Sequence, residues 1–383
     1  MRQARDPRQW RARPRRLAAF VAVLLLCRAA SPAGLHVEKG RKMDEQKQGE
    51  GKGGPASGGN GDSAPPQDRS RYTVSFRYDD VPGIGRQSGV CRRDPSDVVR
   101  VDGTYYVWYT KVPRLRPDGR STPRYPSGYS GTVWYATSRD EGRTWEEQGE
   151  ALGLGKGDAF DAVGVFTPNI LVHGGRYYLY YTAVGKGFVR EASQDASRTA
   201  IGLAVSDSPK GPWRRAATNP VLTTTRDPSR FDSFRVDDSC LIVREGKVWL
   251  YYKGRQWGKS PRETKMGVAV ADAPQGPYRR LNAGEPVQDS GHEVLVWPQG
   301  SGVMSLVSNT GPHGRTLQVA ADGLRFEVVA DLPRPQPAAP GAFRPDMTDP
   351  AATGKGIRWG ISMLARGGHP YLRRYEIRIL PLP

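Results

Sequence analysis

The stretch Asp94–Thr110, DPSDVVRVDGTYYVWYT, recurs three times further along the chain. Phe166–Thr182 reads FTPNILVHGGRYYLYYT, Asp237–Lys253 reads DDSCLIVREGKVWLYYK and Glu293–Asn309 reads EVLVWPQGSGVMSLVSN. Aligned on their first residues, the copies bring Gly103, Gly175, Gly246 and Gly302 into one column, ahead of an aromatic or β-branched run. A glycine turn between two such runs is the signature of a β-hairpin. The copies begin 72, 71 and 56 residues apart. A period that long suits the four-stranded blades of a propeller rather than the short repeats of a solenoid.

The second half of each unit repeats as well. VWYATSRDEGRTWEE, LAVSDSPKGPWRR and VAVADAPQGPYRR each read as a strand, a polar turn, an aromatic residue and a further strand. In the first copy Ser138, Asp140, Gly142, Thr144 and Trp145 spell the Asp-box pattern S-x-D-x-G-x-T-W. There the Asp and Ser satisfy turn amides while the Trp packs between strands. A weaker fifth unit, RPDMTDPAATGKGIRWGISML, begins near Asp346 and ends with YEIRIL, and YTVSFRY at Tyr72–Tyr78 is placed to close the ring against the last blade. The expected fold is all-β: a five-bladed β-propeller of four-stranded antiparallel blades over residues 71–383.

The rest of the chain reads differently. Residues 1–33 have the form of a signal peptide, a basic Met1–Arg16 followed by the short apolar run Leu17–Leu26. That run is too short to span a membrane, so the expected destination is periplasmic or extracellular. Residues 34–70 contain no Phe, Tyr or Trp and are crowded with Gly, Lys, Glu, Gln and Pro, the composition of a disordered linker. Of the net charge of +18, eight Arg and one Asp put +7 in residues 1–33, and the linker balances to zero. About +11 remains on the body, which favours an anionic partner such as a sulfated or carboxylated oligosaccharide. Nucleic acid is not expected, because the basic residues are scattered and no nucleic-acid module is present. Cys91 and Cys240 read as buried packing residues, and the histidines show no metal spacing, so neither metal nor cofactor is expected.

In a ring of repeats, equivalent positions face a common axis. Asp94, Asp237 and Glu293 occupy one register, with Phe166 at the fourth. Carboxylates converging on one point are the equipment of glycoside hydrolysis, in which one activates water and another protonates the leaving oxygen. Asp238 is the one-residue alternative to Asp237, and Asp97 the alternative to Asp94. Trp134, Phe166, Thr167, Asn169, Lys253 and Arg255, on neighbouring motif strands, are candidates to line a sugar subsite.

Through RRDPSDVVRVDGTYYVWYTK, GVFTPNILVHGGRYYLYYTA, FRVDDSCLIVREGKVWLYYKG and GHEVLVWP, the chain resembles the five-bladed propeller glycosidases of families 43 and 117, in the larger group with families 32, 62 and 68. It looks closer to family 117, the 3,6-anhydro-α-L-galactosidases acting on neoagaro-oligosaccharides. The resemblance implies an inverting enzyme with Asp94 as general base and Asp237 as the carboxylate tuning the acid. The acid falls on the pair His292–Glu293. It also implies an N-terminal helical segment exchanged between subunits, where this sequence has its Gly-rich linker, so the oligomeric state stays open. The competing expectations are a family 43-type arabinosidase or xylosidase and a non-catalytic glycan-binding propeller.

Overall fold

The computed structural model describes residues 70–112, 128–366 and 369–383. The signal peptide and nearly all of the linker expected from the sequence lie outside the described residues. Five antiparallel sheets follow one another along the chain. The innermost strand of blade I is interrupted, running as Cys91–Arg93 and Val99–Val101, and is followed by Thr104–Val112, Thr132–Ser138 and Glu146–Leu152. Blade II comprises Gly164–His173, Arg176–Val184, Ala200–Ser206 and two short outer pieces, Arg214–Arg215 and Leu222–Thr223. Blade III comprises Arg235–Arg244, Lys247–Arg255, Lys265–Ala271 and Arg279–Arg280. Blade IV comprises Val294–Gln299, Gly302–Val307, Thr316–Ala320 and Glu327–Asp331. Blade V is built from Ala338–Ala342, Trp359–Arg366, His369–Pro381 and, as its outer strand, Tyr72–Asp80 from the other end of the domain. The pairing from Tyr72 opposite Pro381 to Asp80 opposite Arg373 closes the ring in the expected way.

The unbroken aromatic runs have a simple physical cause. In the second strand of blade I, Tyr105, Val107 and Tyr109 pack toward blade V, while Tyr106 and Trp108 pack toward blade II. In blade III, Val248, Leu250 and Tyr252 face blade II, and Trp249 and Tyr251 face blade IV. Successive strand side chains point to opposite faces. A propeller blade buries both of its faces, so both sets must be apolar.

The innermost strand of blade V begins at Ala338, ahead of the expected Asp346, and residues around Asp346 form short 3-10 turns instead. Its sequence, AAPGA, carries no β-forming side chains, and at Gly341 there is no room for one. A Cβ on Gly341 would lie 1.8 Å from the Ser96 carbonyl of blade I. Val98 donates its amide to the Ala342 carbonyl (2.8 Å), and Arg344 donates its own to the Val98 carbonyl (2.9 Å), joining the first and last blades beside the axis.

The Asp-box forms the expected clasp on the turn of blade I. The Asp140 carboxylate accepts from the amides of Arg143 (3.1 Å) and Thr144 (2.9 Å) and from the Thr144 hydroxyl (2.7 Å), while Ser138 Oγ accepts from the Gly142 amide (3.0 Å). Burial works against the Asp140 carboxylate, yet these hydrogen bonds outweigh it and hold the group down at about 2. Cys91 and Cys240 are both buried free thiols. Among the described residues no helix is long and apolar enough to cross a membrane.

Candidate active site

Four of the five strand starts around the axis share one irregularity. Each ladder slips between Phe166 and Asn169 in blade II, Asp237 and Cys240 in blade III, and Ala338 and Gly341 in blade V. At these bulges, and at the matching break in blade I, a non-glycine residue takes a positive φ: Asp94 (50°), Thr167 (44°), Asp238 (48°) and Ala339 (42°). A left-handed conformation costs an L-residue about 1–2 kcal/mol and is tolerated best by Asn and Asp. Bulges re-aim side chains, and strain held in the same place in four blades marks a constrained site.

These residues line one pocket of about 40 Å³ at the strand starts, with Glu293 completing its wall. The sequence count from the hairpin glycine pairs Asp94 with Asp237, whereas the structure pairs Asp94 with Asp238. The break in blade I contains one residue more than the bulge in blade III, and a count along the chain cannot register that. The second-strand partners agree: Thr110 donates to Asp94 (3.4 Å), while Lys253, its counterpart in blade III, donates to Asp238. Asp237 sits directly behind, 3.1 Å from the same Lys253 ammonium, and does not line the pocket.

The environments of the three pocket carboxyls differ. Asp94 is hydrogen-bonded to the Arg93 guanidinium, whose other arm reaches the Ser130 carbonyl (2.8 Å). Burial pushes Asp94 above the usual carboxylate range, Arg93 pulls it down, and Asp238 pushes it up again. Asp238 is held by Lys253. Glu293 makes no ion pair among the described residues and accepts only the Ala339 amide (2.9 Å). Burial, with help from Asp238 and Asp94 and against that amide and Lys253, pushes Glu293 up to about 7. The neighbouring His292 moves the opposite way, to about 3, because the Lys253 charge and burial disfavour imidazolium.

Asp97 is not a pocket residue. It lies on the axis as half of a fully buried ion pair with Arg344 (3.1 Å), and its other oxygen accepts the Ala342 amide (2.8 Å). Arg344 is further held by Asp346 (2.8 Å), and Asn169 accepts the Asp97 amide (3.1 Å) while donating to the Ser239 carbonyl (2.9 Å). This network ties the inner strands together beside the carboxylates.

Of the candidate subsite residues, Thr167 and Asn169 line the pocket and Lys253 bridges the two aspartates. Phe166 is buried behind the pocket, between the Arg93 guanidinium and the Tyr129 ring. Trp134 lies on the third strand of blade I with the Lys111 ammonium 3.6 Å over its ring, away from the pocket wall. Arg255 contacts Glu191 (2.6 Å) beside Arg235. Sequence reading missed Arg93, the Ala339 amide and Arg235, since nothing in a local motif shows that distant strands converge on them. Among the described residues no group of His, Cys, Asp and Glu has the arrangement to hold a metal ion.

A five-bladed ring with unlike carboxyls at its axial pocket defines the class of propeller glycoside hydrolases. The sequence matches the glycosyl hydrolases family 43 profile over residues 90–256. Zg3597, a family 117 glycoside hydrolase of the marine bacterium Zobellia galactanivorans, is 31% identical with a TM-score of 0.67, across 79% of this chain and 90% of that one. The chain therefore belongs to family 117 of the glycoside hydrolases. The GH43_1 enzyme from Xanthomonas citri complexed with xylose shares the fold at 16% identity and a TM-score of 0.51, over 76% of this chain and 88% of that one. A curated relative, the extracellular endo-α-(1→5)-L-arabinanase 2 of Bacillus subtilis (strain 168), is 26% identical over 131 residues, 32% of this chain. That match takes in about a quarter of the arabinanase's own length, 26%.

Proposed function

We propose that this protein is an exported, exo-acting, inverting glycosidase that removes a terminal sugar of the 3,6-anhydro-L-galactose type from algal galactan oligosaccharides. The observation that carries the chemistry is the contrast between Asp94, ion-paired to Arg93, and Glu293, pushed up to about 7 in the same pocket. Burial pushes both up, but Arg93 pulls Asp94 back while Glu293 has no ion pair among the described residues, and carboxyls in such unlike surroundings divide the work of base and acid. Asp94, its charge stabilised by Arg93, takes a proton from water as that water attacks the anomeric carbon. Glu293, protonated near neutral pH, gives its proton to the departing oxygen. Asp238 raises the affinity of Glu293 for that proton by like charge. Asp237, offered by the sequence for this part, holds Lys253 from behind. His292, neutral at working pH, has no imidazolium proton to give and is suited to orienting the acid.

Family membership supports the sugar, and the extracellular arabinanase and the basic–apolar start of the sequence support export. The test is to incubate the protein with red-algal galactan oligosaccharides and follow the released monosaccharide and its first-formed anomer by NMR. Release of the anhydro sugar with inverted configuration, lost in Asp94→Asn, is expected. The family 43 match favours the second reading, in which arabinose or xylose is released from plant oligosaccharides instead.

A further inference from the structure

Beside the carboxylate pocket lies a cationic site that the hydrolytic chemistry does not use. Arg235 begins the innermost strand of blade III and Arg255 ends its second strand, so the two sit opposite one another in the ladder. Their side chains are 2% and 3% exposed. Both guanidiniums lie over the Phe234 ring, at 3.9 and 4.8 Å, and Tyr129 sits 4.9 Å from that of Arg235. Planar cations stacked on aromatic faces keep their edges free for anions.

The only carboxylate that reaches both arginines among the described residues is Glu191, from the loop joining the second and third strands of blade II. Its Oε1 lies 2.6 Å from Arg255 Nη2 but 3.5 Å from Arg235 Nη2, where it makes an ion pair without a hydrogen bond. Among the described residues both Nη atoms of Arg235 are buried without a hydrogen-bond acceptor, and Nε makes only a long bond to the Tyr129 hydroxyl (3.3 Å). Buried guanidinium donors are normally satisfied. A site with surplus donors, closed by one ill-fitting carboxylate on a residue that is itself 45% exposed, is built for an anion with more acceptor oxygens. Trp257, 36% exposed and 4.8 Å from the Phe234 ring, offers an aromatic surface at the same edge.

We propose that Arg235 and Arg255 recognise an anionic substituent, a sulfate half-ester or a carboxylate, on the oligosaccharide entering the neighbouring pocket, and that Glu191 holds the site until this anion displaces it. The inference rests on the glycosidase reading for the identity of the ligand as a substrate, but the binding site is testable without turnover. Exchange of one carboxylate for another anion leaves the local charge unchanged, so the arginines stay paired throughout.

The test uses the full chain carrying Asp94→Asn, so that binding is separated from hydrolysis. Three probes are titrated by calorimetry: a sulfated galactan oligosaccharide, its chemically desulfated counterpart and a uronic acid-bearing oligosaccharide. Tighter binding of the sulfated or the uronic probe than of the desulfated one, by about 10-fold or more, is expected. Whichever anionic probe binds tighter identifies the substituent. Glu191→Gln, a change at an exposed position, removes the competing anion and is expected to tighten the anionic probe several-fold while leaving the desulfated probe unchanged. Arg255→Gln is expected to abolish the preference. Equal binding of all three probes, with no response to Glu191→Gln, overturns the proposal. Preferential binding without turnover of any probe by the unsubstituted protein keeps this site and removes the glycosidase reading. Turnover of neutral and anionic probes at equal kcat/KM does the reverse.

Discussion

Two groups of acidic residues share the axis of this propeller, and they are built in opposite ways. In the one that ties the strands together, Asp97 and Asp346 flank Arg344, and every charged arm has a partner within about 3 Å. In the pocket, Asp94, Asp238 and Glu293 face one another with Arg93 and Lys253 between them, and Glu293 is left with a single backbone amide. The residue types are the same. Burial pushes both kinds up, Asp97 to about 6 and Glu293 to about 7. Asp97 commits its oxygens to a buried cation and a strand amide and locks strands in place, whereas Glu293 faces the pocket with a proton to give.

The sharpest way to break this comparison is to remove one member of each group. Asp94→Asn keeps the shape and the contact with Arg93 but abolishes the base, so kcat is expected to fall about 10²–10⁴-fold while the circular-dichroism melt stays cooperative. Arg344→Met leaves Asp97 buried without its cation and is expected to cost about 3–5 kcal/mol in urea denaturation. If Asp94→Asn unfolds the chain, or Arg344→Met leaves stability untouched, the division between the two groups is wrong.

The acid responds to pH. The value of about 7 for Glu293 predicts that kcat declines as pH rises through 7, because the proton to be donated is lost. The same shift acts on stability. The folded-state value lies above the ordinary 4.5, so the contribution of Glu293 is fully present below 4.5 and is lost as pH rises toward 7. Glu293→Gln should flatten the alkaline limb and be rescued by an aryl glycoside whose leaving group needs no proton. Asp238→Asn removes a neighbouring negative charge and should move that limb to lower pH; Asp237→Asn should move it less. Equal shifts from both would return the tuning role to Asp237. The smallest effect belongs to the Asp-box, where Thr144→Val should cost about 1 kcal/mol of stability and leave kcat unchanged.

Much of this is legible in the amino-acid sequence. Hairpin glycines and aromatic runs repeat in the sequence because each blade must turn tightly and bury both faces, and that is enough to read four blades and the closing strand. The fifth blade is legible through WGISML and YEIRIL, but its inner strand escaped because it is made of Ala, Pro and Gly, with Gly341 packed against Ser96, and is devoid of a strand signal. The choice between Asp237 and Asp238 escaped for a related reason. A bulge is an agreement between two strands, and a count along one of them does not see it.

The amino-acid order by itself determined the repeat, hence the ring, and placed Asp94, Glu293 and one of the blade III aspartates at strand starts, because side-chain alternation and turn chemistry are local properties. Only the tertiary structure decided which aspartate enters the pocket, gave Asp97 to Arg344, and set Arg235 and Arg255 around Glu191. Charge pairing in a buried space depends on distance and on excluded water, and both come into being only when the blades close.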